Sequence, residues 1–115
     1  MKELLVVDGA NVVGSVPDGW WRDRRGAAER LRDLLVDHAE RTGADVVLVV
    51  EGAARSVESV PDVRVESAAG SGDNHIVALV KRAEQPVIAV TADRELRCKA
   101  NTLGATCVGP RTVRP

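Results

Sequence analysis

Lys2-Glu3-Leu4-Leu5-Val6-Val7-Asp8-Gly9-Ala10-Asn11 reads as a buried strand over Lys2–Val7 that ends on an acid and a turn. Four consecutive apolar residues leave no solvent face, the pattern of a parallel strand covered on both sides. Asp8-Gly9 then supplies turn chemistry. The same grammar recurs downstream. Asp45–Val50 reads as a second buried strand, Val63–Glu66 as a shorter third, Pro86–Thr91 as a fourth and Ala105–Val108 as a fifth.

Helical spacing fills the intervals. Ala27, Leu31, Leu34, Leu35 and His38 recur on one face, with Arg, Asp and Glu opposite, and Gly43 stops the run as a C-terminal glycine does. Ile76, Leu79, Val80 and Ala83 mark a second helix starting near Ser71-Gly72-Asp73, and Asp93–Leu103 a third. Gly14 to Trp20 is a loop by composition, and Glu51 to Asp62 reads as loop or irregular helix. Strands alternating with helices of about 10–18 residues predict an α/β fold, a parallel five-stranded sheet with helices on both faces. Right-handed crossovers make 3-2-1-4-5 the simplest strand order.

Length and composition agree. The 115 residues suit one domain, expected over residues 1–115, and 44% hydrophobic with 29% charged is ordinary globular chemistry. Apolar runs reach only four to five residues, far short of the ~20 that span a bilayer. With no signal-peptide pattern at the N-terminus and two isolated cysteines, Cys98 and Cys107, a cytoplasmic protein without membrane attachment is expected. There is no Phe and no Tyr, so Val, Leu, Ile and Ala must build the core.

The net charge of −1 excludes a uniformly basic nucleic-acid binder, but the charge is uneven. Trp20–Arg32 carries five Arg against two acids, and Arg94 onward carries five bases against Glu95 alone. Asp37–Asp73 holds eight acids and three bases. An acidic centre with basic flanks results.

In an open parallel sheet the functional crevice lies beyond the carboxyl ends of the strands. Asp8 ends the first strand, Glu51 the second, and Thr91-Ala92-Asp93 the fourth, while Asp73 opens a helix that starts at the same edge. Each acid alone has a simpler role: a turn for Asp8, a first-turn acid for Asp73, a cap for Asp93 and a loop acid for Glu51. Four at one rim are costly without a cation, and hard ions such as Mg²⁺ and Mn²⁺ take carboxylate oxygens and water. Asn11 adds a neutral group able to orient a metal-bound water.

Asp8-Gly9-Ala10-Asn11, Asp73-Asn74-His75-Ile76 and Thr91-Ala92-Asp93-Arg94 together resemble the DGxN, DxxI and [ST]xD elements of the NYN-domain (YacP-like) branch of the PIN-like nucleases. Order and strand placement match over nearly the whole chain. The resemblance implies a three-layer α/β/α PIN-like fold and a divalent-metal endoribonuclease that leaves a 5′-phosphate. It implies metal binding by Asp8, Asp73 and Asp93, with Asn11 in support. The family often has Asp where Glu51 stands. With one more methylene, Glu51 is expected to reach the ion through water.

Around this centre, Trp20 is a candidate stacking residue beside the phosphate-binding candidates Arg24 and Arg25, as single-stranded recognition requires. Thr91 and Arg94 are further substrate-binding candidates. RNA, single-stranded or structured, is the expected partner, and the sequence is compatible with a homodimer. A nucleotide phosphohydrolase using the same acids, or a non-catalytic RNA-binding module, are the competing readings. P-loop, dinucleotide and phosphate-receiver signatures are absent from the sequence, and no nucleophile elbow surrounds Ser15.

Overall fold

The structure is a computed structural model, and it describes residues 2–114. Five parallel strands, β1 (Leu4–Asp8), β2 (Asp45–Val50), β3 (Val63–Ser67), β4 (Val87–Val90) and β5 (Thr106–Val108), form one sheet in the order β3-β2-β1-β4-β5. The α-helices are α1 (Gly9–Val13), α2 (Arg24–Thr42), α3 (Gly72–Arg82) and α4 (Arg94–Thr102). The α/β expectation and the strand order both hold.

Alternation along the central strands sorts the side chains into two cores. Leu5 and Val7 of β1 join Val46, Leu48 and Val50 of β2 beneath α1 and α2. Leu4 and Val6 join Val47 and Val49 on the other face, beneath Ile76, Leu79 and Val80 of α3 and Leu96 and Ala100 of α4. A period of two therefore serves two layers at once, which is why these strands read as unbroken apolar runs.

α2 is 19 residues long, capped by Asp23, whose Oδ1 accepts from the Gly26 amide at 3.0 Å. It ends at Gly43, whose left-handed φ of 71° lets its amide bond to the Ala39 carbonyl at 2.8 Å. Its buried stripe is Ala27, Ala28, Leu31, Leu35 and Ala39. Leu34, expected on that stripe, is 44% exposed. At 100° per residue it lies roughly 90° round the helix from the stripe's centre.

Three other departures have physical causes. α1 begins directly on the strand-end acid, and its five residues are too few to show a helical period. The β2–β3 crossover is irregular, as expected, and departs only in its detail, a 3₁₀ turn at Gly52–Ala54 and an antiparallel bridge between Val60 and Val63. It is held from outside: Arg25 Nη2 donates to the Ser56 carbonyl at 3.2 Å and Arg32 Nη1 to the Glu58 carbonyl at 2.9 Å. β1 starts at Leu4 and its pairing runs on to Asp8, opposite Val49, whereas β4 and β5 are shorter than expected because ladder pairing leaves out Pro86, Thr91 and Ala105.

Candidate active site

Asp8 is the last residue of β1 and the cap of α1. Only 5% of it is exposed. Its Oδ2 accepts from the Thr91 hydroxyl at 2.9 Å and its Oδ1 from the Asn11 amide at 3.4 Å. Thr91, with none of its surface exposed, also accepts the Asp93 amide at 3.1 Å on the same hydroxyl. Asn11 Oδ1 accepts from the Ala92 amide at 2.8 Å. The first and fourth strand ends are thus laced together through side chains, and Asp8 and Asp93 are fixed on either side of one buried threonine.

Asp93 Oδ1 caps α4 by accepting from the Leu96 amide at 2.9 Å. Ser71 caps α3 through the Asn74 amide at 3.2 Å, which sets Asp73 in the first turn. Glu51 Oε2 accepts from the Gly72 amide at 3.2 Å, joining the end of β2 to the start of α3. The simple capping roles and the gathering of acids therefore coexist. The same carboxyl groups that end strands and start helices define the rim.

Two glycines lie close against this assembly. A Cβ on Gly9 would lie 2.5 Å from the Val49 carbonyl oxygen, a clash with backbone that nothing can relieve cheaply. A Cβ on Gly72 would lie 3.0 Å from Glu51 Oε1. In sequence, Gly9 belongs to the turn after the first strand and Gly72 to the start of a helix. Their role as close-approach points depends on β2 and Glu51, which lie far along the chain.

The acids feel one another. Burial pushes the Asp8 carboxyl above the ordinary aspartate range, with the charges of Asp73 and Glu51 adding to it and the Thr91 and Asn11 hydrogen bonds opposing. Asp73 is raised as well, first by burial, then by Asp93 and Glu51, with Lys99 pulling the other way. Among the described residues, none of these four acids takes part in a salt bridge.

Among the described residues, no three His, Cys, Asp or Glu side chains stand close enough to enclose an ion. The donor chemistry nonetheless suits a hard cation. The oxygens are carboxylate, none is in a salt bridge among the described residues, and acidic neighbours add to the raised proton affinity of Asp8 and Asp73. Mg²⁺ in particular is commonly held by one or two carboxylates and keeps several waters, so a rim rather than a closed cage is sufficient.

The flanking candidates separate in the structure. Trp20 is half-buried and meets the exposed Trp21 edge-on, with ring centroids 5.8 Å apart. The Arg24 guanidinium lies 5.3 Å from the centre of the Trp20 ring. Arg25 instead reaches the crossover carbonyl of Ser56. Arg94 is exposed at the start of α4. Thr91 is too deeply buried to touch a substrate, so its place is behind Asp8 as a support. His75 pairs with Glu66 at 2.6 Å, and Arg64 pairs with the same Glu66, outside the acid rim.

A cavity of about 320 Å³ opens beside the rim between α1, α2 and the Gly52–Ala54 turn. Trp20, Arg24 and Glu51 contribute to its wall. A larger one, about 420 Å³, lies at the opposite edge among Asp45, Arg64, Arg82 and Gln85, beside the amino ends of the strands. The smaller cavity is the one adjoining the acids.

No family model matches the chain. The crystal structure of a mutant form of Rae1 (YacP) from Bacillus subtilis superposes with a TM-score of 0.77 at 22% identity, covering 98% of this chain and 72% of that one. A second crystal structure of Rae1 (YacP) gives 0.74 at 20% identity, covering 94% and 69%. The fold is PIN-like. In sequence, UPF0178 proteins from three strains of Xanthomonas oryzae pv. oryzae are 33% identical over 91 residues, 79% of this chain. The chain spans 56% of the length of these curated relatives. Among the described residues, no helix is long and apolar enough to cross a membrane.

Proposed function

We propose that the protein is a divalent-metal-dependent endoribonuclease of the NYN (YacP-like) branch, hydrolysing RNA to leave a 5′-phosphate. The observation that carries this reading is the rim itself. Asp8, Glu51, Asp73 and Asp93 converge from β1, β2, α3 and β4, free of salt bridges among the described residues and with Asp8 and Asp73 raised partly by their acidic neighbours. The shared architecture with Rae1 (YacP) and the order of the three acidic elements support the branch.

In this reading Asp8, Asp73 and Asp93 would border a Mg²⁺ or Mn²⁺ site, one or two of them on the ion and water completing its shell, and Glu51 stands behind them. A bound ion of this kind supplies a low-pKa water at neutral pH and offsets charge on the phosphate. Thr91 and the Asn11 amide fix the Asp8 carboxylate so that its oxygens need not reorganise. The Asn11 side chain ties the turn after β4 to α1 and so holds the spacing of Asp8 and Asp93. Glu51 holds the first turn of α3, and with it Asp73, against the end of β2. Arg24 and Arg94 offer cationic contacts to flanking phosphates.

Incubation with a pool of structured and unstructured RNAs tests the reading. Cleavage is expected with Mn²⁺ or Mg²⁺, with 5′-phosphate ends, abolished by EDTA and reduced on the order of 10²–10³-fold in Asp8→Asn. RNA binding without cleavage under any metal would identify a binding module instead. Turnover of mononucleotides alone would identify a nucleotide phosphohydrolase, a reading the single cavity beside the rim also accommodates.

A further inference from the structure

We propose that the cavity between α1, α2 and the Gly52–Ala54 turn is a subsite for one extruded nucleobase of the RNA strand, selecting bases that carry an exocyclic amino group over uracil. The proposal rests on the ribonuclease reading for its substrate class, but on separate residues for its geometry.

At about 320 Å³ the cavity lies at the lower end of the range for small-ligand sites, room for one base rather than two. Its apolar wall comes from Val13, Ala28 and Ala54, small side chains that leave space against a ring. Trp20 forms another wall. The chain contains only two aromatic residues, and this one is placed half-buried at a cavity where its ring contributes to the lining. A base has a π-face whatever its identity, so an aromatic wall over small aliphatic residues suits it, whereas a metal site has no use for either.

The polar groups of the cavity divide the labour. Arg24 is on the wall with its guanidinium 5.3 Å from the Trp20 ring centre, a positive charge fixed next to where a stacked base's phosphate would run. Glu51 is on the wall towards the acids. Its carboxylate can only accept hydrogen bonds, and the Gly72 amide occupies one of its several lone-pair positions. Adenine, cytosine and guanine each present an amino group to such an acceptor. Uracil presents one N–H flanked by two carbonyl oxygens, which the carboxylate repels. Glu51 thus separates two compartments, with the base on one side and the metal-binding acids on the other.

Metal-free fluorescence titration tests this without requiring catalysis. In Trp21→Leu, Trp20 is the only tryptophan and reports on the cavity. Hexanucleotides of adenosine or cytidine should quench it, with uridine hexanucleotide binding on the order of tenfold more weakly. Ala54→Leu, at a partly buried position of the cavity wall, should fill the cavity and remove the quenching. Trp20→Leu, retaining Trp21, should show no base-dependent quenching. Glu51→Gln, which adds a donor, should level the difference between cytidine and uridine. Equal affinity for all three hexanucleotides, quenching that survives Ala54→Leu, or equal quenching in Trp20→Leu would each overturn the proposal. Cleavage of RNA without any quenching would sink the base subsite alone. Intact quenching without cleavage would sink the ribonuclease reading and leave the subsite standing.

Discussion

Asp8 is buried and repelled by Asp73 and Glu51, and these effects outweigh the two hydrogen bonds that favour its charged form. Its carboxyl therefore holds a proton more tightly in the folded chain than in the unfolded one. The stability tied to that proton is fully present below about pH 4, the ordinary aspartate value, and is lost as pH rises through the raised value. Metal-free Asp8→Asn should accordingly melt higher than wild type at neutral pH, with the gap closing as the solution is acidified; a gap independent of pH would refute the repulsion. Mn²⁺ should reverse the order, because a ligand at a hundredfold excess over its Kd stabilises the native state by about 2.7 kcal/mol. Thr91 allows a second check. Thr91→Val strands both Asp8 Oδ2 and the Asp93 amide, at a cost of about 1–3 kcal/mol in chemical denaturation, and Thr91→Ser should restore most of it. If serine fails to rescue, the methyl group and not the hydroxyl is what the site needs.

At the level of elements, α1 sits on β2 only because position 9 has no side chain. Gly9→Ala places a methyl against the Val49 carbonyl and should cost about 1–3 kcal/mol, with loss of activity following any shift of Asp8 and Asn11. The amino end of α2 separates two adjacent arginines. Arg24 is free to meet a phosphate from its seat over Trp20, whereas Arg25 is occupied with the crossover. Arg24→Ala should reduce the salt dependence of RNA binding by roughly one counterion, while Arg25→Ala should leave the slope alone and speed amide exchange across residues 52–60. Equal slopes for the two variants would place both residues on the RNA.

The same elements show what could be read in advance. β2 was legible to the residue, and Gly43 marked the end of α2, because a two-sided apolar strand and a left-handed cap leave local signatures. The four acids were legible as a group because strand direction alone carries them to one edge. Leu34 was misplaced because its stripe drifts round the helix, and the crossover was legible as irregular chain but not its anchoring, because Arg25 and Arg32 hold it from another element. Thr91 showed its place in the motif but not its depth. That depth is set by the meeting of two strands whose sequences lie 83 positions apart.

Across the whole molecule, the central pair β1–β4 separates two hydrophobic layers and also leads into acids of the rim at its end. An acidic rim with arginines to either side gives a field that repels a polyanion at its centre and attracts it at the margins. A divalent ion at the centre would remove that conflict, so metal and RNA should bind with positive coupling: RNA affinity measured with Asp8 intact should rise with Mn²⁺ and stay flat in Asp8→Asn. The stitching of Asp8 to Thr91 and of Asn11 to Ala92 also has a meaning in time. A chain still being synthesised displays its first acidic motif early, yet that motif has nothing to close against until β4 and the turn beyond it have emerged. Whatever chemistry the rim performs is withheld from the growing polypeptide, and becomes available only in the finished domain.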